Sequence, residues 1–308
     1  MALVTSVVSA APLVPPRWYA HGLNRAAAYR AAALVSATLP RRARLAIASG
    51  LGALVARRLP AERAMVRANL ARIAPSLDAP ARERMVADVF RHFAMCFADL
   101  VSSNRKAGAI EGLLARVDGL ERLEAAAQGG RGMVLLTAHL GNWELAGRLL
   151  GLSSPRPTYV VVAAEVDPAV QRFLRGGPAP VRFVTRTHPT ASLTLLAALR
   201  RDEVVAMQGD RALGTRGDAA VDFFGAPALF PVGPFLLARA AGAPVVPAFC
   251  ALGRDRRYTI SVGEPLRVEA GRERDALARW VASLEAAVRR HPEQWFNFFD
   301  VWGGAPAR

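Results

Sequence analysis

Hydrophobic positions along the chain change their spacing near residue 130. Before it, Leu, Ala and Arg dominate and β-branched residues are sparse, which favours helices. Residues 81–101 show the clearest helical spacing, with helix-start signals just before them at Asp78 and Pro80. The apolar positions that recur there on one helical face are Val86, Phe90, Phe93, Phe97, Leu100 and Val101. The pattern predicts a long helix with one buried face.

Short apolar runs follow Gly130 and alternate with helical stretches. The first run, at 133–137, reads MVLLT and is typical of a buried strand. Further candidate strands lie at 159–163, 181–185, 204–208, 244–250 and 257–262, with helical stretches at 189–201, 232–242 and 273–290. This alternation predicts an α/β fold: a mixed, largely parallel sheet flanked by helices, with the helical N-terminal region packed on it.

Charge separates the two regions further. The helical region at 1–106 holds 16 of the 40 basic residues and 5 of the 25 acidic ones, which gives it +11 of the net charge of +15. The region at 107–308 is nearly balanced. Such an excess suits an anionic surface, either nucleic-acid phosphates or an anionic lipid leaflet, and a solvated basic face is the alternative. We expect the two regions to form one compact unit.

The apolar segments are too short or too interrupted to predict a membrane-spanning helix, which requires roughly 20 residues. The longest uncharged runs, 1–16 and 223–238, have sixteen residues and three prolines each. Segment 31–56 is apolar but contains Pro40 and three nearby arginines. It favours a pair of helices lying on a membrane surface, with plain core packing as the alternative. We therefore expect 1–106 to be a basic, helical membrane-docking region.

Cysteine usage predicts neither a disulfide framework nor a metal site. The two cysteines, Cys96 and Cys250, lie far apart, and the chain contains no CxxC motif or Cys/His cluster.

The segment TAHLGNWE at 137–144 carries the most distinctive chemistry. His139 directly follows a predicted strand, and the carboxyl ends of strands are where α/β sheets bind ligands. Gly141 permits a tight turn, Asn142 is a helix-capping residue, and Glu144 falls in the first turn of the next helix. A carboxylate on one ring nitrogen of a histidine leaves the other nitrogen as a base.

This arrangement lacks a protein nucleophile, because no serine lies in a GxSxG motif. The base would then act on a hydroxyl of the substrate, and acyl transfer to that hydroxyl is the natural reaction. A core histidine with a helix-cap network is the alternative interpretation.

AHLGNWE resembles the HxxxxE/D motif of the lysophospholipid and glycerolipid acyltransferase superfamily. Its form HxGNWE is most similar to the late lipid A acyltransferases, the lauroyl and myristoyl transferases. Other similar blocks follow in family order over roughly residues 40–302: RANL at 67–70, VRFVTR at 181–186, QGDR at 208–211, FFG at 223–225 and APVVP at 243–247.

Two departures from the family pattern indicate a divergent subgroup. The lipid A branch commonly has Asp-Gln near the third block, where this chain has Gly209-Asp210-Arg211. The segment 294–302 also differs after its Gln-Trp pair. Some members of such subgroups act in aryl-polyene-like lipid pathways.

The resemblance implies an O-acyltransferase that moves a fatty acyl chain from an acyl-carrier-protein or acyl-CoA thioester to a hydroxyl of a membrane glycolipid or phospholipid, similar to a lipid A precursor. It implies that His139 is the general base and Glu144 its orienting partner, with no covalent intermediate, metal or bound cofactor. Backbone N–H groups after His139 are the expected oxyanion donors. The substrate-binding residues implied are Asn142, Arg186, Gly209, Asp210, Arg211, Phe224 and Gly225.

Individual roles follow from side-chain chemistry. Arg186 and Arg211 are candidates for phosphate binding. Asp210 is expected to anchor Arg211 or a sugar hydroxyl, and Gly209 to let the backbone approach a ligand. Phe224 and Gly225 are expected to shape an acyl groove, with core packing as the alternative.

The expected location is the cytoplasmic face of a bacterial inner membrane, attached peripherally or by shallow insertion. A basic chain also suits an acidic acyl carrier protein. The alternatives are transfer to a specialised aryl-polyene-like lipid, hydrolysis with water as acceptor, and a non-catalytic protein that binds anionic surfaces or nucleic acid. Nucleic acid is not an expected partner, because no RNP, KH, helix-turn-helix or zinc-finger signature is evident.

Overall fold

The computed structural model describes residues 38–103, 110–153, 156–163 and 181–303. The first described region is helical, as predicted. Its helices are α1 (Arg41–Arg58), α2 (Pro60–Ile73) and α3 (Ala79–Ser103). Asp78 caps α3, because its Oδ1 accepts a hydrogen bond of 2.7 Å from the Ala81 amide. The part of the expected interfacial segment before residue 38 lies outside the described residues.

The predicted α/β fold is confirmed. The strands are β1 (Leu114–Asp118), β2 (Met133–Thr137), β3 (Thr158–Val162), β4 (Val181–Thr185), β5 (Val204–Gln208), β6 (Asp218–Phe223), β7 (Ala226–Pro231), β8 (Val245–Leu252) and β9 (Tyr258–Val262). The helices among them are α4 (Leu120–Ala127), α5 (Trp143–Ser153), α6 (Ala191–Arg200), α7 (Gly233–Ala241) and α8 (Glu273–Arg290). The hairpin of β6 and β7, and the polar strand β1, were not among the predicted strands.

Within the described ranges the main sheet has seven strands in the order β1-β9-β8-β2-β5-β3-β4. Neighbouring strands are parallel except β8 and β9. Every residue of β8 is buried, as expected for a strand covered on both faces. The position of β2 in the middle of this sheet brings the carboxyl ends of β5 and β8 to either side of His139.

The N-terminal helices pack against the α/β part through apolar and polar contacts. Phe90 and Phe93 of α3 contact the ring of Phe298, with centroids 5.1 and 5.3 Å away. The buried Asn69 of α2 donates hydrogen bonds of 3.0 and 2.8 Å to the carbonyls of Asn297 and Phe299. We call residues 295–301 the C-terminal strap, because this segment lies between the helices and the carboxyl edge of the sheet.

None of the described helices combines the length and the apolar character that crossing a bilayer requires.

Candidate active site

The parallel register of β2 and β5 places two reactive side chains opposite each other. Thr137 pairs with Gln208 at the carboxyl ends of these strands. His139 and Asp210 each follow their strand by two residues. The two loops therefore leave the sheet side by side, and the imidazole of His139 meets the carboxylate of Asp210.

His139 and Asp210 form a close, largely buried pair. Nδ1 of His139 lies 2.7 Å from Oδ1 of Asp210. The other carboxylate oxygen, Oδ2, accepts hydrogen bonds from the backbone amide of His139 at 3.1 Å, from Nε1 of Trp295 at 3.2 Å and from Nδ2 of Asn297 at 3.1 Å. The Asp210 side chain is fully buried, whereas the His139 side chain is 14% exposed.

These surroundings set the charge of both groups. Burial lowers the pKa of His139, the guanidinium of Arg211 lowers it further, and the attraction of Asp210 offsets only part of this. Burial alone would raise the pKa of Asp210, but the charges and hydrogen bonds of His139, Arg211 and Asn297 hold it well below its ordinary value. At neutral pH the pair is therefore a neutral imidazole beside an ionised carboxylate.

The hydrogen bond assigns the imidazole tautomer. An ionised Asp210 only accepts hydrogen bonds, so Nδ1 of His139 carries the proton and Nε2 keeps its lone pair. The side chain thus presents a base at the carboxyl edge of the sheet.

Glu144 was expected to orient His139, whereas in the structure the carboxylate at Nδ1 is that of Asp210. Glu144 lies in the first turn of α5, as predicted, but its carboxylate acts on the buried guanidinium of Arg148 and lines a cavity. Asp210 was expected to anchor Arg211 or a sugar hydroxyl instead.

The turn after His139 depends on Gly141. Its φ of 58° lies in the left-handed region, and a Cβ there would collide with the carbonyl oxygen of Cys250. The amides of Gly141 and Asn142 donate to the carbonyls of Gln294 and Cys250 at 2.8 and 2.9 Å. These two N–H groups are therefore engaged, and the expectation that they serve as oxyanion donors is not supported.

Asn142 caps α5 and faces the protein interior. Its Oδ1 accepts a bond of 3.3 Å from the Leu145 amide, and Nδ2 donates at 3.0 Å both to the Cys96 carbonyl and to the Tyr258 hydroxyl. The residue is 3% exposed. The capping prediction agrees with this geometry, but its expected role in substrate binding does not.

Three other expected binding residues lie at a core position and at a hairpin turn. A Cβ on Gly209 would lie 3.0–3.1 Å from side-chain atoms of Leu136 and Trp280, so the lack of a side chain there allows close core packing. Phe224 and Gly225 form the turn of the β6–β7 hairpin, both with positive φ. The Phe224 ring lies under Arg289 of α8, at 4.9 Å. These observations place the FFG block at a hairpin turn.

The two candidate phosphate-binding arginines lie at different distances from His139. Arg211 is beside it, with Nε donating to Oδ1 of Asn297 and Nη2 to the Phe296 carbonyl, each at 2.9 Å. Arg186 is exposed and follows β4, the edge strand. Because two strands separate β4 from β2, Arg186 is roughly 14 Å from the strand of His139.

An apolar cavity lies beside the His139 turn, between α5 and the sheet. Most of its wall comes from apolar and small residues: Leu135, Trp143, Ala146, Gly147, Val160, Val181, Phe183, Ala206, Met207 and Ala248. Its polar lining comes from Thr137, Glu144, Arg148 and Gln208. The indole of Trp143 joins this cavity to the base, because its ring centroid lies 4.9 Å from that of His139.

Sequence reasoning missed Trp295 and Asn297 as parts of the site. The rings of the aromatic segment at 295–302 pack in or against the core. The overlooked signal was Asn297, an amide inside an apolar segment, where a buried polar group requires partners. The described ranges contain no group of three or more His, Cys, Asp or Glu residues able to hold a metal ion.

Comparisons with known proteins agree with the resemblance drawn from the motif blocks. A phosphatidylinositol mannoside acyltransferase of Mycobacterium tuberculosis is 32% identical over 202 residues, which cover 60% of this chain and 59% of that protein. The chain therefore matches about three fifths of that relative's length. A lipid A biosynthesis palmitoleoyltransferase of Escherichia coli is 24% identical over 248 residues, 80% of each chain. Residues 22–303 match the profile of bacterial lipid A biosynthesis acyltransferases, and the chain belongs to that family.

Proposed function

We propose that this protein is an O-acyltransferase that uses His139 as general base to acylate a hydroxyl of a membrane glycolipid. The observation that carries the proposal is the His139–Asp210 pair, with Nε2 of the base presented at the carboxyl edge of the sheet in a member of an acyltransferase family.

The proposed reaction requires no protein nucleophile. Nε2 of His139 takes the proton of the acceptor hydroxyl while the hydroxyl oxygen attacks the thioester carbonyl carbon. The tetrahedral oxyanion collapses, the C–S bond breaks, and the imidazolium returns its proton to the leaving thiolate. Asp210 stabilises the imidazolium between these steps, because it is ionised, buried and bonded to Nδ1. The products are an ester and the free thiol of the donor.

The apolar cavity beside Trp143 is the proposed place for the acyl chain. Its wall suits hydrocarbon, and it begins next to the base, where the thioester carbonyl must lie. This position lies between α5 and the sheet.

Arg211 is the proposed electrostatic partner of the reacting groups. Its guanidinium is close enough to lower the pKa of His139, so it also attracts a developing oxyanion or a phosphate of either substrate. Arg186, at the sheet edge, suits a phosphate farther from the ester bond.

The names of the relatives guide the choice of acceptor. One group is named for phosphatidylinositol mannoside and another for lipid A. We therefore propose a membrane glycolipid as the acceptor and an acyl-carrier-protein or acyl-CoA thioester as the donor. A specialised aryl-polyene-like lipid is the alternative acceptor.

Helix α1 is the proposed membrane-docking element. Among the exposed large apolar side chains of the described ranges, three share this helix at helical spacing: Ile47, Leu51 and Leu54, each about half exposed. Exposed arginines lie at both ends of the helix, at Arg42 and at Arg57–Arg58. An apolar stripe with basic ends suits an anionic bilayer surface, and this supports the proposed location at the cytoplasmic face of a bacterial inner membrane.

Transfer of a radiolabelled acyl chain tests the function. The label is supplied as a thioester of acyl carrier protein or, separately, of CoA, and is incubated with purified protein and total bacterial membrane lipid. We expect a labelled glycolipid with the wild type and none with His139→Ala, with its mass identifying the acceptor. Labelled free fatty acid as the sole His139-dependent product would replace transfer with hydrolysis. A lack of any His139-dependent product with either donor would contradict the proposal.

A further inference from the structure

A chain of buried polar groups lies behind the His139 turn, away from the proposed substrates. Nδ2 of Asn142 donates to the hydroxyl of Tyr258 at 3.0 Å, and that hydroxyl donates to Oδ2 of Asp99 at 2.9 Å. Arg41 closes the chain with bonds of 3.0 and 2.7 Å from Nε and Nη2 to the two oxygens of Asp99. We call these four residues the polar chain.

The polar chain joins three separate parts of the fold. Arg41 is the first residue of α1, Asp99 lies on α3, and Tyr258 begins β9. Asn142, at the other end, is three residues beyond His139 and is fixed by the Cys96 carbonyl and the Leu145 amide as well. Rotation of the turn would therefore break several hydrogen bonds at once.

Stability alone does not explain these groups. The Asp99 side chain is fully buried and its partner Arg41 is 24% exposed. Burying a carboxylate costs several kcal/mol, and well-packed apolar residues often give equal or greater stability in the place of such a pair. Burial also raises the pKa of Tyr258 well above its ordinary value, so the phenol remains a hydrogen-bond donor. The groups thus form a directed set of bonds that ends at the catalytic turn.

We infer that the polar chain is a positioning device that holds the His139 turn in register with helix α1. Tyr258, Asp99 and Arg41 act through Asn142 and touch no reacting atom. Because α1 also carries the proposed docking stripe, the chain fixes Nε2 of His139 relative to the membrane side of the protein. The inference rests on the proposed acyl transfer for its kinetic consequences, but its effect on the turn is measurable without any substrate.

Two matched pairs of variants test it. Tyr258→Phe removes one hydroxyl with two partners, and Tyr159→Phe does the same in β3, where the buried hydroxyl accepts from Arg182 and Arg201. Arg41→Ala removes an arginine that joins α1 to α3, and Arg63→Ala removes one that joins α2 to α3 through Glu83. Tyr159 and Arg63 are the controls, because none of the hydrogen bonds described above connects either of them to Asn142.

The kinetic readout separates positioning from simple destabilisation. In detergent micelles containing the glycolipid, we expect Tyr258→Phe and Arg41→Ala to lower kcat about tenfold with KM unchanged, because small misplacements of a base reduce turnover strongly. Tyr159→Phe and Arg63→Ala should retain kcat within about twofold of the wild type. Circular dichroism should show that all four variants are folded under the assay conditions.

Hydrogen–deuterium exchange provides the readout that is independent of activity. Exchange of the Gly141 and Asn142 amides should accelerate at least tenfold in Tyr258→Phe and Arg41→Ala, and remain at the wild-type rate in the two controls. Equal exchange at the turn in all four variants would overturn the inference, whether or not transfer is detected. If the wild type showed no transfer but exchange still accelerated in Tyr258→Phe and Arg41→Ala, the proposed function would be rejected and the positioning role would stand.

Discussion

Two carboxylates near His139 occupy different settings, and the difference shows what a sequence motif reveals. Glu144 is five residues away in the chain, in the first turn of α5, and is partly exposed to the apolar cavity. Asp210 is 71 residues away, yet its Oδ1 lies 2.7 Å from Nδ1 of His139 and its side chain is fully buried. Glu144, close to His139 in the motif, lines the apolar cavity, whereas strand register brings Asp210 into contact with the imidazole of His139.

The supports of the two carboxylates differ as well. Oδ2 of Asp210 accepts three N–H donors, two of them from the C-terminal strap, and Asn69 of α2 holds that strap in turn. A carboxylate held in this way has its charge and direction fixed before substrate binds. Glu144 faces Arg148 and the cavity, so its carboxylate is placed to act on the occupant of the cavity or on α5. Four predictions test this division of roles, from the largest expected effect to the smallest.

Asp210→Asn should reduce kcat by about 10⁴-fold, as loss of the orienting carboxylate does in related His–Asp systems. The three donors around Oδ2 would hold the amide oxygen of the variant there, so its NH₂ group would face Nδ1 of His139. That contact moves the imidazole proton to Nε2 and removes the base. Steady-state transfer to the glycolipid measures the loss, and unchanged thermal unfolding serves as the control. A kcat within tenfold of the wild type would contradict the assignment of Asp210.

Asn297→Ala should reduce kcat about tenfold. The change removes one donor to Asp210 and the Oδ1 acceptor of Arg211, and a hydrogen bond to a charged group is worth about 1.5–3 kcal/mol. Because two other donors to Oδ2 remain, the effect should be far smaller than that of Asp210→Asn. If this variant kept the wild-type kcat, the C-terminal strap would contribute only packing. The unfolding midpoint of the variant, measured in parallel, is the control for stability.

Arg211→Gln should shift the acid limb of the pH–rate profile to higher pH. In the wild type, kcat/KM should rise as pH increases through the pKa of His139, which burial and Arg211 hold below its ordinary value, and then level off. Without the guanidinium the imidazolium is less disfavoured, so the base loses its proton at a higher pH. The logarithm of kcat/KM plotted against pH gives the shift directly. An acid limb that stays in place would mean that Arg211 does not act on His139.

The difference between the two carboxylates also shows which features of the site could be predicted from the sequence. The strand MVLLT, the base after it, the turn at Gly141 and the helix start at Asn142 are local features, and the sequence predicted each of them. The partner of His139 depends on the pairing of Thr137 with Gln208, which joins β2 to a strand about 70 residues later in the chain. A single sequence does not specify which residues of two parallel strands pair, because many relative shifts of the strands bury the same apolar residues equally well.

Two further differences have the same physical origin. The FFG block matched a family pattern, but its function follows from positive φ at Phe224 and Gly225, a requirement of the hairpin that apolar periodicity does not show. Strand β1 escaped prediction because LARVD lacks a run of apolar residues and gains its place by pairing with β9 at the sheet edge. Backbone geometry and sheet pairing, rather than residue type, decided these cases.

Glu144→Gln should have the smallest effect, with kcat reduced less than about threefold, because the amide keeps the shape of the side chain and Nδ1 of His139 retains Asp210. Its acid limb should lie close to that of the wild type, since burial and the charges of Arg211 and Asp210 are the main influences on the pKa of His139. Measuring both variants in one assay makes the comparison decisive. If Glu144→Gln lost about 10⁴-fold while Asp210→Asn stayed active, the motif carboxylate would be the orienting group, and the active enzyme would use a contact different from the one between His139 and Asp210. A large loss in both variants would instead mean that transfer requires two carboxylates, one that fixes the tautomer of the base and one that acts from the cavity.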